Sequence, residues 1–231
     1  MARLPSQESL DYQLSELEIA RDPTHPAHLL PPIGLEVRKV LDVGCGAGQS
    51  LIVTDPRDRL LVGIDLDLAA LRLGKSLSPQ LHLVCGSGEA LPFRADSFDL
   101  VASRVSLPYM NLSAAVREMS RVLLPAGALW CSLHPFRLTL GEFRANISSA
   151  QFRAAAYRLC VLLNGVLLMI SGRQLPARWL RGRNESFQSR RALRRALVRA
   201  DFSPESIAFV RRRFFVVSAR KSQNSRLPHG L

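Results

Sequence analysis

Short apolar runs alternate with amphipathic segments along the middle of the chain. Apolar runs bounded by turn residues predict buried strands, and apolar positions spaced three or four residues apart predict helices. The pattern predicts strands at 39–43, 60–64, 81–84, 98–102 and 128–133, and helices that start near residue 49 or cover 68–76 and 112–123. Strands and helices that alternate in this way form βαβ units, so we expect an α/β fold with a mostly parallel sheet.

The two ends of the chain depart from this alternation. Leucines at near-helical spacing predict an amphipathic helix over residues 8–20, and a proline-rich link follows it. Near the carboxyl terminus, a predicted helix at 189–200 precedes two apolar runs, 207–210 and 214–219. These runs are too close for a crossover helix, so we expect them to pair as an antiparallel hairpin.

A long insertion, residues 137–187, separates the last strand of the alternating region from the final helix. Within it, residues 152–170 are largely apolar, but Arg153, Arg158 and Asn164 interrupt the run. Polar groups at these places argue against a membrane span. We therefore predict that this helix forms a lid over a ligand pocket, and its apolar character favours a hydrophobic substrate. The alternative is a helix that only packs on the core.

These segments predict one domain with additions. Its parts are a substrate-side cap of helix and proline-rich link at 1–35, a cofactor-binding core at 36–136, the insertion with its lid helix at 137–187, a last helix and antiparallel strands at 188–221, and a disordered tail at 222–231. A chain of 231 residues with 47% hydrophobic content can bury one core of good size.

The charge of the chain allows a nucleic-acid function without requiring one. The formal net charge is +12 and the pI is about 10.8, which is typical of polyanion binders. However, only three of the 31 basic residues are lysines, and an arginine excess of this kind also follows from G+C-rich codons. An arginine-rich carboxyl-terminal face, with eleven arginines between residues 178 and 213, remains the alternative site for RNA.

Four cysteines lie far apart, with no Cys-x-x-Cys pair and no histidine cluster beside them. This spacing predicts neither a metal site nor a disulfide framework, and it suits the reducing cytoplasm. The first residues contain no apolar signal-peptide core, which supports the same cytoplasmic location.

The most informative motif follows the first predicted strand. Gly44, Gly46 and Gly48 are spaced by single residues, whereas dinucleotide sites use Gly-x-Gly-x-x-Gly. Asp65 ends the second strand, where an acidic residue can accept hydrogen bonds from ribose hydroxyls. Asp42 precedes the glycines; its carboxylate would repel a pyrophosphate but favour an ammonium group. A ribose and an ammonium group without phosphate favour S-adenosylmethionine as the cofactor.

The motifs from residue 39 to 136 resemble those of class I S-adenosylmethionine-dependent methyltransferases, specifically the group called methyltransferase type 11, with fainter agreement at 185–221. The matching segments are VLDVGCGAG at 40–48, VGID at 62–65, GSGEALPF at 86–93, SFDLV at 97–101 and RVLLPAG at 121–127. The resemblance implies a Rossmann-like methyltransferase sheet, mostly parallel, with a carboxyl-terminal antiparallel hairpin.

The resemblance also implies roles for individual residues. The implied cofactor-binding set is Asp42, Gly44, Cys45, Gly46, Gly48, Asp65, Leu66, Ser87, Gly88, Glu89 and Ser103. In it, Leu66 packs on the adenine and Ser103 lines the cofactor near its methyl group. Ser87 departs from the family, which usually has an aspartate there to accept from the adenine amino group. A hydroxyl can still accept that bond, although more weakly than a carboxylate.

His134 and Tyr109 are the main candidates for contact with the acceptor; Tyr12 of the predicted amino-terminal helix can also line its pocket, and His25 and His28 of the proline-rich link are weaker candidates. His134 directly follows the last strand of the alternating region, and a histidine there can act as the general base that an O- or C-methylation needs. Tyr109, after the fourth strand, can line the acceptor pocket. The alternative for His134 is a structural turn histidine held by Pro135. We expect a small-molecule acceptor, and the sequence leaves its identity and the oligomeric state open.

Overall fold

The computed structural model describes residues 7–54, 58–133, 136–175, 184–211 and 215–223. The predicted tail lies outside them from residue 224 onward. The strands are β1 (Lys39–Val43), β2 (Leu60–Asp65), β3 (His82–Cys85), β4 (Phe98–Arg104), β5 (Leu123–Leu133), β6 (Ala208–Arg211) and β7 (Phe215–Arg220). The helices are α1 (Gln7–Arg21), α2 (Gln49–Ile52), α3 (Leu68–Leu77), α4 (Leu112–Val122), α5 (Phe136–Ser148), α6 (Phe152–Ser171) and α7 (Arg190–Arg199).

The strands form one sheet in the order β3-β2-β1-β4-β5-β7-β6. Neighbours from β3 to β5 are parallel, while β7 runs antiparallel to both β5 and β6. The α/β class, the mostly parallel sheet and the antiparallel carboxyl-terminal pair are therefore confirmed. The order reverses at β1 and β4, and in such open sheets ligands bind beyond the carboxyl ends of the strands at that reversal.

A separate cluster of buried apolar side chains packs on each face of the sheet. Helices α4 and α7 pack on one face through side chains such as Val116, Met119 and Leu193, which are fully buried. On the other face, Trp130 and the central strands pack against α2 and against Leu29 of the proline-rich link. The link thus contributes to the core, and burial of its apolar side chains holds α1 near the carboxyl ends of the strands.

Helix starts follow local sequence. Asp67 accepts from the amides of Ala69 and Ala70 at the start of α3, and Ser189 accepts from the Ala192 amide at the start of α7. These side chains satisfy amide groups that have no partner within the helix. Sequence periodicity placed these elements correctly, but it placed the start of β5 five residues late, since the strand begins at Leu123 and is irregular opposite β4.

The insertion is a helical hairpin made of α5 and α6. The predicted helix at 152–170 corresponds to α6, whereas no helix was predicted at α5. Helix α6 packs along α5 and reaches α7, and Leu168 joins the core beneath α4 and α7. Its role as a lid stays a prediction.

Candidate active site

The glycine loop turns sharply at the carboxyl end of β1. Gly44, Gly46 and Gly48 have φ values of +74°, +57° and +78°, in the left-handed region that residues with a Cβ rarely adopt. The amide of Gly44 donates to the carbonyl of Ile64 at 2.8 Å, which ties the loop to β2. A Cβ at Gly44 would overlap the side chain of Ser106. Both the backbone and the close packing therefore require glycine here.

Asp42 lies behind this loop with only 2% of its surface exposed. Its Oδ1 atom accepts no hydrogen bond from the residues that the structure describes. Burial raises the pKa of the Asp42 carboxyl to about 7; Arg104 opposes that shift and Asp65 adds to it. A buried polar atom without a partner is rare in native proteins and often marks a binding site.

Asp65 joins the ends of β1 and β2. Its Oδ2 atom accepts from the Gly46 amide and its Oδ1 atom accepts from the Asp67 amide, both at 2.8 Å. Leu66, the next residue, is 73% exposed and so has free apolar surface at the same edge. Asp67, and not Asp65, caps the start of α3.

A cleft of about 340 Å³ opens over these residues. Its lining comes from α1, the glycine loop, the ends of β2 and β4, and the turn after β4: Tyr12, Gln13, Glu16, Ala27, Asp42, Gly44, Cys45, Gly46, Gln49, Ser50, Asp65, Arg104, Val105, Ser106 and Tyr109. Predicted residues from three separate segments thus meet in one cavity. Burial raises the pKa of the Cys45 thiol well above its usual value, so this cysteine is a small loop residue rather than a nucleophile.

Helix α1 supplies cleft residues that the sequence did not reveal. Gln13 accepts from the Ala47 amide at 3.0 Å and from the Gln49 side chain at 2.6 Å. Glu16 pairs with Arg104 at 2.5 Å. The leucine spacing predicted the helix but not which polar side chains face the loop, because the fold of the link decides the orientation of α1.

The described lining carries three carboxyl groups, on Asp42, Asp65 and Glu16, against the single guanidinium of Arg104; the Asp42 carboxyl, with a pKa of about 7, is partly ionised near neutral pH. Burial raises the pKa of the Tyr12 phenol, and Glu16 adds to the shift, so Tyr12 is neutral near neutral pH. The cleft therefore favours a ligand with positive charge.

The remaining predicted cofactor residues lie outside this lining. Ser103 is buried and its hydroxyl lies 2.7 Å from that of Ser106, which in turn donates to the Val43 carbonyl. Gly48 donates its amide to the Cys45 carbonyl within the loop. Their assignment to the cofactor stays a prediction.

The segment at Ser87, Gly88 and Glu89 also lies outside the lining. The Ser87 hydroxyl accepts from the Glu89 amide at 3.1 Å, and Glu89 accepts from the Asn111 amide at 2.9 Å and from Asn184 at 3.2 Å. A Cβ at Gly88 would come within 2.6 Å of Val43. Glu89 thus links this segment to the start of α4 and to the insertion, and the predicted cofactor contacts of the three residues stay untested.

The two acceptor-side candidates fare differently. His134 lies outside the described residues, so its proposed role as a base stays a prediction. Tyr109 lies at the mouth of the cleft with 37% of its surface exposed, and it also borders the insertion, whose Glu142, Arg158 and Glu185 line a small cavity behind it. Within the described part of the chain, no group of histidines, cysteines and carboxylates could hold a metal ion.

Fold and cleft together define a Rossmann-like α/β protein with an open cleft at the carboxyl ends of β1 and β2. The family model "methyltransferase domain" matches residues 41–131. A demethylmenaquinone methyltransferase of Staphylococcus aureus is 30% identical over 171 residues, which cover 71% of this chain and 67% of that protein. The chain belongs to the methyltransferase domain family.

Other similarities agree with this assignment. An uncharacterized methyltransferase of Synechocystis is 37% identical over 135 residues, covering 52% of this chain and 64% of that protein. The chain spans 64%, 49% and 46% of the length of three curated relatives that it matches. A methyltransferase structure from Thermotoga maritima has a TM-score of 0.54 at 18% identity, over 93% of this chain and 91% of that one; this likeness concerns the fold.

Proposed function

We propose that the protein is an S-adenosylmethionine-dependent methyltransferase that acts on a small-molecule acceptor. The observation that carries the proposal is the buried carboxylate of Asp42, whose free oxygen lies behind a glycine loop at the switch in strand order. The names of the relatives support the reaction class. The demethylmenaquinone methyltransferase of Staphylococcus aureus supports a hydrophobic acceptor, in agreement with the apolar insertion.

The residues of the cleft fit this cofactor. Asp42 would face the ammonium group, Asp65 the ribose hydroxyls and Leu66 the adenine, while the glycines leave room for the methionine part beside the loop amides. The excess of carboxylates over guanidinium groups in the lining suits a molecule with both an ammonium and a sulfonium charge. Dinucleotides and nucleoside triphosphates carry phosphates that an ionised Asp42 would repel.

The cofactor supplies a methyl group on a sulfonium that is already activated for displacement. The chain contributes mainly position: a cleft wall made of Tyr12, Tyr109 and α1 can hold an acceptor and exclude water, and orientation of this kind lowers the barrier of a bimolecular step strongly. A base is needed only if the acceptor must lose a proton. His134 is our candidate for that base, and Tyr109 for a residue that orients the acceptor.

We propose a cytoplasmic setting, which the free state of all four cysteines supports. We do not extend the proposal to RNA. Helix α7 contributes none of the described residues that line the cleft. A polyanion bound on the arginines of α7 would therefore lie away from the methyl donor.

An acceptor screen tests this function. The full chain is incubated with S-adenosylmethionine and a panel of hydroxylated quinones, phenols, amines and acyl thioesters, and formation of S-adenosylhomocysteine is measured. We expect product with at least one apolar acceptor and none with structured RNA. Methyl incorporation into RNA, lost as salt is raised, would favour the RNA alternative instead. The Asp65→Ala variant serves as the control for turnover that depends on this cleft.

A further inference from the structure

Three polar side chains of helix α6 point inward. The Tyr157 hydroxyl donates to Glu185, and Arg158 pairs with Glu185 at 2.7 Å and with Glu142 at 3.1 Å. Asn164, which is fully buried, donates to the Glu185 carbonyl at 2.8 Å and accepts from the Leu175 amide at 2.6 Å. The polar groups of the helix are thus used to bind it to its own chain.

The opposite side of α6 is apolar and exposed. Its large side chains and their exposed fractions are Phe152 (73%), Leu159 (43%), Leu163 (56%), Val166 (39%) and Ile170 (68%). Spacings of three, four and seven residues place these side chains on one side of a helix. Between Arg153 and Arg173 the sequence has one charged residue, Arg158, and that residue faces inward. We call this surface the outer stripe.

Exposed apolar side chains that run along a whole helix are typical of a surface that contacts another protein or a membrane. By length and composition α6 could cross a membrane, with a mean hydropathy of 1.7 and 28% of its most apolar window buried. However, its polar side faces α5 and the segment around Glu185, so only the outer stripe is available to an apolar partner. That geometry corresponds to a helix that lies on a bilayer rather than one that spans it.

Cationic side chains at both ends of the outer stripe point to an anionic partner. Arg195 and Arg199 of α7 lie beside Gly172, which follows the end of α6. Arg153 lies at one end of the stripe. At the other end, Arg195 of α7 donates to the carbonyl of Ile170 at 3.3 Å. A second copy of the chain would bring the same cationic residues together without acidic partners, whereas anionic lipid headgroups would neutralise them.

We propose that the outer stripe docks on an anionic lipid bilayer, with α6 in the plane of the interface. The apolar side chains enter the boundary between headgroups and acyl chains, and the arginines at both ends contact lipid phosphates. This inference does not depend on the proposed methyl transfer, since its test measures binding alone. It would give the cleft access to acceptors that are dissolved in the membrane.

Vesicle sedimentation with the full chain tests the proposal. We expect the protein to sediment with vesicles of equal parts phosphatidylcholine and phosphatidylglycerol, to bind phosphatidylcholine alone at least about tenfold more weakly, and to dissociate from anionic vesicles as salt rises. Leu163→Asp should weaken binding to anionic vesicles by about tenfold or more. The matched control is Leu35→Asp, at a residue that is 86% exposed outside the stripe, and it should bind like the wild type.

Three results would overturn the proposal: equal loss in both leucine variants, equal binding to neutral and anionic vesicles, or no binding at all. Light scattering gives a further check, because a dimer that Leu163→Asp converts to a monomer, without vesicle binding, would assign the stripe to a second copy. Thermal unfolding of both variants verifies that they fold. If Leu163→Asp does not fold, Leu163→Ser replaces it, with the same expected direction.

Discussion

Two regions of the molecule bury acidic groups in opposite ways. In the insertion, Glu185 accepts from both Tyr157 and Arg158, so its carboxylate is satisfied by the chain itself. Behind the glycine loop, Asp42 has an oxygen without a hydrogen-bond partner among the described residues, although it is even less exposed. A satisfied buried network stabilises a fold, whereas an unsatisfied buried group needs a further partner such as a water molecule, an ion or a ligand. Of the three such atoms in the described residues, on Asp42, Ser132 and Gln188, the one on Asp42 belongs to the lining of the cleft. The difference distinguishes a buried acidic group that stabilises the fold, Glu185, from one that is available to a ligand, Asp42.

The largest effect is expected where the loop cannot accept a side chain. Gly44→Ala places a Cβ at φ +74° and against Ser106, which should destabilise the fold by about 2 kcal/mol or more and abolish cofactor binding. Gly141→Ala in α5, where the added Cβ meets nothing within 4 Å, should stabilise by about 0.5–1 kcal/mol. Denaturant unfolding measures both. If the two variants changed the free energy of unfolding by the same amount, the loop would not require glycine at residue 44.

In the insertion, loss of one partner should affect stability alone. Asn164→Ala removes the donor to the Glu185 carbonyl and the acceptor for the Leu175 amide, leaving two buried groups unpaired at a cost of about 2–3 kcal/mol. The affinity for S-adenosylmethionine should stay within about twofold of the wild type, and calorimetry measures it. A large loss of affinity in a folded variant would show that the two regions are coupled.

Asp42 predicts a dependence on pH. Its carboxyl has a pKa of about 7 in the folded chain against 3.8 without burial. The folded state therefore holds its proton more tightly, and the stability that this group contributes falls as pH rises from 3.8 to about 7. Asp42→Asn should remove that fall, so it should stabilise the cofactor-free protein more near pH 8 than near pH 4, and denaturant unfolding of both proteins at the two pH values measures the difference.

The same variant should change cofactor binding. In the wild type, affinity should increase by about tenfold as the Asp42 carboxyl ionises, since the carboxylate attracts an ammonium group. Asp42→Asn should show a flat profile over the same range. An unchanged slope in calorimetric titrations of the variant would remove Asp42 from the ammonium site.

The smallest effect concerns α1. The Gln13 side chain accepts from the Ala47 amide of the glycine loop, where the carboxylate of a bound methionine group would compete for the same donor. Gln13→Ala should therefore tighten cofactor binding by about threefold. Ser15→Ala, at an exposed residue of the same helix outside the cleft lining, is the control and should leave affinity unchanged. Weaker binding in Gln13→Ala would make Gln13 part of the site instead.

Sequence predicted the sheet and the loop well because both depend on local signals. Apolar runs and the three glycines fix strands and a tight turn wherever they occur, and Asp42 and Asp65 follow from their positions at strand ends. The contribution of Gln13, Glu16 and Arg104 could not be predicted, since it depends on how the proline-rich link packs α1 against the sheet. The sequence also could not show which polar side chains of α6 face inward, because their partner, Glu185, is distant in sequence and only the fold brings it to the helix.

Cofactor binding at the junction of β1 and β2 is the central claim, and calorimetric titration with S-adenosylmethionine tests it most directly. The wild type should bind, and Asp65→Ala should bind at least about tenfold more weakly, because hydrogen bonds from the ribose hydroxyls to a carboxylate are lost. Asp67→Ala removes the cap of α3 and should cost about 1 kcal/mol of stability without changing affinity. Absence of binding by the wild type, or equal affinities of the two aspartate variants, would contradict the account.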